Sequence, residues 1–333
     1  MLRAVDIFHF NDFHRHLGTF GDGSGGAARL ASLADRERAE HPGSVIVNVG
    51  DNAGDNAVPS PNAFDPLADI FDAMGIELVA LGNHELEDPT GNYASLRTGF
   101  IEPFDGQVLC ANATVTETGS PLPGTKPYTI MEINGVDVAF IGVVTRDLEL
   151  AMFPSAGAGL TLASPEETLK ELVPKVRREG ADAVVVLAHE GLKEAESLAS
   201  RVRGIDAILA GHDHRTTPEP VMVPSPGGGT TAVAEAGGYG QQLGHLRLQV
   251  DTARRRVVSV EGRMIPVSAD LPADPEIQRI VDAYPGTQHV EKPAARHRWE
   301  RVGSFAELAA RLQGDRAANQ SPAGGSKHEE TTS

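Results

Sequence analysis

Five apolar, β-branched runs of strand length in this chain each lead into a short cluster containing Asp, Asn or His. The clusters are Asn11-Asp12-Phe13-His14, Gly50-Asp51-Asn52, Gly82-Asn83-His84-Glu85, His189-Glu190-Gly191 and Gly211-His212-Asp213-His214. Between the runs lie Ala-, Leu-, Glu- and Arg-rich stretches of helical period, and this alternation predicts an α/β fold. In open α/β sheets the ligand site lies beyond the carboxyl ends of the strands. Side-by-side packing of the five runs would therefore gather the clusters on one rim.

The clearest strands are predicted at residues 4–10, 45–49, 78–81, 136–144, 183–188, 205–210 and 246–250. The clearest helices are predicted at residues 27–40, 66–74, 164–178 and 192–202. Ser164-Pro165-Glu166-Glu167 reads as a capped start to the third helix, and Pro174 is expected to kink it or end it early. Beyond Ile265 the pattern weakens. Ser304-Phe305-Ala306-Glu307 is a capping box before one further short helix, and residues 314–333 carry too little apolar surface to fold. The expected organisation is a domain over 1–265, a connection and helix over 266–313, and a disordered tail over 314–333.

Composition narrows the chemistry. With 46 acidic and 29 basic residues the formal charge is −17, which repels nucleic-acid phosphates and anionic membrane surfaces. One cysteine, Cys110, excludes an internal disulfide and a Cys-rich metal site. No apolar run approaches the ~18 residues of a membrane helix, and Met1-Leu2-Arg3 passes directly into a strand-like run. As written the chain is expected in the cytoplasm, or in the periplasm or outside the cell if a leader is missing.

Oxygen and imidazole donors without thiolate suit Mn, Zn or Fe. Asp12, His14, Asp51, Asn83, His84, His189, His212 and His214 are too many groups for one tetrahedral ion. They suit two divalent ions ~3.5 to 4 Å apart, with Asp51 as the expected bridge. Such a pair activates a bound water and clamps phosphoryl oxygens, so the expected reaction is attack of hydroxide on a phosphate ester. Glycines before Asp51, Asn83 and His212 allow the crowding this requires. Asp12/His14 and His212/His214, as i, i+2 pairs, would share a face in extended backbone.

These residues resemble the calcineurin-like metallophosphoesterases, within them the 5′-nucleotidase and UDP-sugar hydrolase branch. The resemblance covers about residues 4–265 and extends to Gly26-Ala27-Ala28-Arg29-Leu30, Ala111-Asn112-Ala113, Pro127-Tyr128-Thr129-Ile130, residues 135–145 and Glu235-Ala236-Gly237-Gly238-Tyr239-Gly240. It implies a four-layer sandwich of two mixed β-sheets flanked by helices. It also implies Asp12, His14, Asp51 and His214 around one metal, Asp51, Asn83, His189 and His212 around the other, and His84 as the catalytic group that contacts the phosphate.

The chain departs from that branch in three places. Glu87 stands at the usual Asp position after His84, which leaves Glu87, Asp88 or neither to orient the imidazole. Asp55 replaces a usual Gly. After Ile265 little aromatic material remains for the nucleoside-binding domain that full-length nucleotidases carry, so that function falls to a missing domain or a partner chain. His9, His16, His41, His245, His289, His297 and His328 match no ligand position and read as surface or packing residues, with His16 the one near enough to approach substrate. The expected function is hydrolysis of phosphate monoesters of small metabolites, nucleoside 5′-monophosphates first. The alternatives are a phosphodiesterase for 2′,3′-cyclic nucleotides or nucleotide sugars, and a non-catalytic scaffold of the same fold.

Overall fold

The computed structural model describes residues 1–53, 64, 66–86, 93–146, 159–284 and 289–290. Residues 1–290 form one compact unit. Seven strands make its first sheet, in the order Arg256–Pro266, Gln242–Asp251, Leu2–Phe10, Val45–Asn48, Leu78–Ala80, Gln107–Leu109, Thr125–Lys126. From Leu2–Phe10 onward the strands run parallel, whereas Gln242–Asp251 joins antiparallel on the other side. The second sheet has six strands, in the order Val221–Pro224, Thr230–Glu235, Ala207–Ala210, Ala183–His189, Val136–Val144, Tyr128–Ile133. Its two outermost strands are antiparallel and its centre is parallel.

The layering follows from the two-residue period of each strand. In Ala183–His189, Ala183, Val185 and Leu187 enter the core between the sheets, where Val5, Ile7 and Phe140 meet them. Val184, Val186 and Ala188 point the other way, onto Leu169, Val173 and Val176 of the Pro165–Glu179 helix and Ala195 and Leu198 of the Leu192–Arg201 helix. Phe8 and Phe10 likewise leave the first sheet toward Leu30 and Leu33 of Ala27–Glu40, Phe71 of Leu67–Ala73 and Ile277 of Pro275–Asp282. Burial on both faces explains why the central strands read as nearly continuous apolar runs. The result is the expected sandwich of two mixed sheets between helical layers.

The Pro165–Glu179 helix does not end early at Pro174; Val173 and Val176 are buried on either side, and their packing outweighs the lost backbone bond. Pro275–Asp282 is a helix the sequence reading left out, although Asp274 accepts hydrogen bonds from the N–H groups of Glu276 and Ile277 at 2.9 Å. The capping box at 304–307 and the tail lie outside the described residues.

Candidate metal centre

Three parallel strands of the first sheet end at Phe10, Asn48 and Ala80, and two of the second end at His189 and Ala210. Each leads into one of the five polar clusters, so both sheets deliver candidate ligands to a common rim. The loops are sewn together through the main chain. Asp12 and His14 donate N–H groups to the carbonyls of Gly50 and Asp51 at 2.9 Å, and Tyr239 donates to the carbonyl of Asp12 at 2.6 Å. A Cβ on Gly82 would fall on Asp51 Oδ1, and Gly50 carries a φ of 84° against the same backbone. Only glycine permits this approach.

The i, i+2 pairs do not reach the rim in extended backbone. Asp12, His14, Asp51, His212 and His214 have φ values of 52°, 47°, 55°, 95° and 55°, all left-handed. For non-glycine residues such backbone costs of order 1–3 kcal/mol where it is strained, and the surrounding contacts must hold it. With this backbone Asp12 and His14 face the rim while Phe13 between them packs into the core.

Two donor sets result, joined by an overlapping third group of His14, Asp51 and His84. Asp12, His14 and His214 form one: His214 Nε2 lies 3.1 Å from Asp12 Oδ1 and 3.0 Å from His14 Nε2. Asp51, His189 and His212 form the other, with Asn83 among them. His189 Nε2 is 3.0 Å from Asp51 Oδ2 and 3.2 Å from Asn83 Oδ1, and His212 Nδ1 is 2.8 Å from that same amide oxygen. His189 Nδ1 donates to the Val49 carbonyl at 2.7 Å, which commits Nε2 to the centre. His84 is 24% exposed, its ring edge-on to His14 and its Nε2 3.9 Å from Asp51 Oδ2. Its backbone N–H donates to Asp51 Oδ1 at 2.9 Å and so fixes the carboxylate.

The electrostatics favour cations. Burial works against ionising Asp12, but His214 outweighs it and brings its pKa down to about 2. Burial also opposes ionisation of Asp51, yet His189 and His84 hold it well below the usual carboxylate range. His189 is raised to about 10 because, against the cost of burial, Asp51 attracts the proton. Burial drives His14 down to about 3, leaving it neutral and able to donate a lone pair. Two carboxylates, an amide oxygen and four imidazoles, packed with nitrogens and oxygens facing one another, match the donor chemistry of borderline divalent ions.

A family model for calcineurin-like phosphoesterases matches residues 5–216. The chain belongs to that family. Proteins of known name resemble it over most of its length. It is 27% identical to endonuclease YhcR of Bacillus subtilis over 75% of this chain and 21% of the relative. It is 26% identical to the 5′-nucleotidase of Diplobatis ommata over 81% of this chain and 50% of that protein. The crystal structure of a 5′-nucleotidase precursor from Thermus thermophilus superposes with a TM-score of 0.74 at 25% identity, covering 85% of this chain and 58% of that one. The chain thus spans from about a fifth to about half of the curated relatives it matches. Those relatives are named as an endonuclease and as 5′-nucleotidases.

Three contributors escaped the sequence reading. Glu85 is buried, and its carboxylate accepts the N–H groups of Asp51 (2.9 Å), Asn52 (2.6 Å), Ala53 (3.2 Å) and Gly82 (2.6 Å). It holds two ligand-bearing loops in one grip. Asn11 donates to Asp12 Oδ2 at 2.6 Å and to the Gly237 carbonyl at 2.5 Å. Tyr239 lies against His14, His214 and His16 at ring distances of 5.4, 4.8 and 4.3 Å. His16 is buried between Tyr239 and Phe20, beside the ligand imidazoles. Asp55, Glu87 and Asp88 lie outside the described residues.

Proposed function

We propose that this chain hydrolyses phosphate monoesters of small metabolites with two divalent ions, and that nucleoside 5′-monophosphates are its first candidate substrates. The observation that carries this reading is the pair of adjoining donor sets on one rim, with a partly exposed imidazole at their edge. Asp12, His14, Asp51 and His214 would hold one ion, and Asp51, Asn83, His189 and His212 the other, with Mn, Zn or Fe the ions their chemistry suits. When bound, the ions neutralise phosphoryl oxygens and supply a nucleophile near neutral pH.

The protein's own groups do the rest. Asp51, gripped at Oδ1 by the His84 N–H and at Oδ2 by His189, presents one carboxylate to both donor sets. His84 contacts the phosphate from the rim and stabilises charge on the leaving oxygen, with Glu87 or Asp88 as its candidate orienting carboxylate. Phe13, between Asp12 and His14 in sequence, is buried with Phe10 and Phe71 in edge-to-face ring packing that anchors this loop on the helix side. The phosphoesterase domain is assigned to residues 1–265, and recognition of the non-reacting part of the substrate to a further domain or a partner chain.

A hydrolysis panel tests this reading. Several nucleoside monophosphates and a simple aryl phosphate should give kcat/KM values within roughly tenfold of one another, a spread of ~1.4 kcal/mol in transition-state binding. The metals and His84 act on the phosphate alone, and discrimination requires contacts elsewhere on the substrate. The panel also includes 2′,3′-cyclic nucleotides, nucleotide sugars and single-stranded DNA. Cleavage of diesters with no cleavage of monoesters would replace the proposal by a phosphodiesterase. A strong preference for one nucleotide would show a specific pocket.

A further inference from the structure

We propose that Asp6, His41 and His245 form a separate binding site for one transition-metal dication of the zinc class. Asp6 and Phe8 sit on the same face of the Leu2–Phe10 strand, turned from the inter-sheet core toward the Ala27–Glu40 helix. His245 lies opposite Phe8 on the antiparallel neighbour, and Arg247 lies opposite Asp6. His41 closes the C-terminus of the helix, its N–H bonded to the Glu37 carbonyl. Three separate elements thus converge on one carboxylate.

Asp6 Oδ1 is 2.8 Å from His245 Nε2 and 3.8 Å from His41 Nδ1, and the three ligand atoms all lie within 4.8 Å of one another. The two imidazoles are 4.6 Å apart between centroids and rest on the Phe8 ring, at 4.6 Å for His245 and 5.7 Å for His41. Phe8 sets their planes as a hydrogen bond would. Asp6 and His245 are buried while His41 is half-buried, so the cluster has a fixed interior and an open side by which an ion can enter.

The neighbouring charges permit a cation. Arg247 Nη2 bonds Asp6 Oδ2 at 3.1 Å, whereas its Nε, 3.0 Å from Oδ1, lacks hydrogen-bond geometry, so a lone pair of Oδ1 remains available. Arg36 and Arg263 are each 3.0 Å from Glu37, which offsets their charge. Glu37 and Glu40 form an overlapping donor group with His41, and the helix C-terminus adds its own negative end. Two imidazoles and a carboxylate are a recurrent zinc ligand set with a fourth position left for water. Asp6 precedes Phe10 by four residues, about 13 Å of strand, so no ligand is shared with the rim.

Zinc equilibrium dialysis of the full chain, followed by metal analysis, tests the site. Wild type should retain one more zinc ion per chain than His41→Ala, and than His245→Gln, with unchanged phosphatase activity in His41→Ala. The readout is the difference between variants, so it stands whether the rim holds two ions, one or none. His245 is packed on Phe8 and its replacement could unfold the chain. His41 lies at the edge, and circular dichroism of His41→Ala establishes that its fold is intact. Equal zinc content in wild type and folded His41→Ala would overturn the proposal and leave the cluster as a hydrogen-bonded tie between strand and helix.

Discussion

His84 and Glu85 are neighbours that face opposite ways, one toward the rim and one into the loops beneath it. His84→Ala should lower kcat by about 10² to 10⁴-fold, the range for a positioned acid-base group, while metal content stays near wild type. Loss of metal in that variant would make His84 a ligand, a role its position beside His14 and Asp51 also allows. Glu85→Gln keeps the shape but turns an amide donor toward N–H groups that need acceptors. The buried donors left without partners should cost about 2 kcal/mol, lowering the thermal midpoint by about 4 to 8 °C; an unchanged midpoint would show that the grip on residues 51–53 and 82 is dispensable. Candidate ligands such as Asp12 and His214 were legible because they follow strands and are themselves the chemistry. Glu85 was not, because its task exists only once the loops around 50 and 82 touch. The left-handed turns at Asp12 and His214 were hidden for the same reason: contacts distant in sequence impose them against local preference.

At the scale of elements, periodicity served best where burial was complete. The Val136–Val144 strand and the Ala27–Glu40 helix match the expected limits, since each carries an unbroken apolar pattern against a packed layer. Short strands such as Gln107–Leu109 and, at the sheet's edge, Thr125–Lys126 were invisible: two or three residues hold no period, and only the neighbouring strands define them. Of the two outcomes expected at Pro174, an early end is excluded, because a local rule met a tertiary contact stronger than itself. Its exposure allows a direct check. Pro174→Ala should restore a backbone N–H to the helix and raise stability by about 2 kcal/mol, the interior cost of proline less its benefit in restricting the unfolded chain. Denaturant midpoints would show it. A drop in stability would mean that the helix is bent to fit the sheet and that proline supports the bend.

For the molecule as a whole, the two sheets act as one device for placing loops. Each sheet alone presents only part of either donor set: His214 needs Asp12 from across the interface, and His189 needs Asp51. This division makes the centre depend on the inter-sheet core around Val5, Phe140 and Leu187. It also explains why family membership was readable from separated motifs while substrate was not, since ligands gather on the framework and specificity lies in groups around the rest of the substrate. Among the described residues no helix is long and apolar enough to cross a membrane. The central claim is that this framework holds two divalent ions whose presence is required for phosphoester hydrolysis. Metal analysis of the purified chain, paired with phosphatase activity before and after chelation, tests it most directly. In His41→Ala, which lacks the separate Asp6 site, the account predicts close to two ions per chain, loss of activity with the metal and recovery when it is restored; full activity in a chain stripped of metal would contradict it.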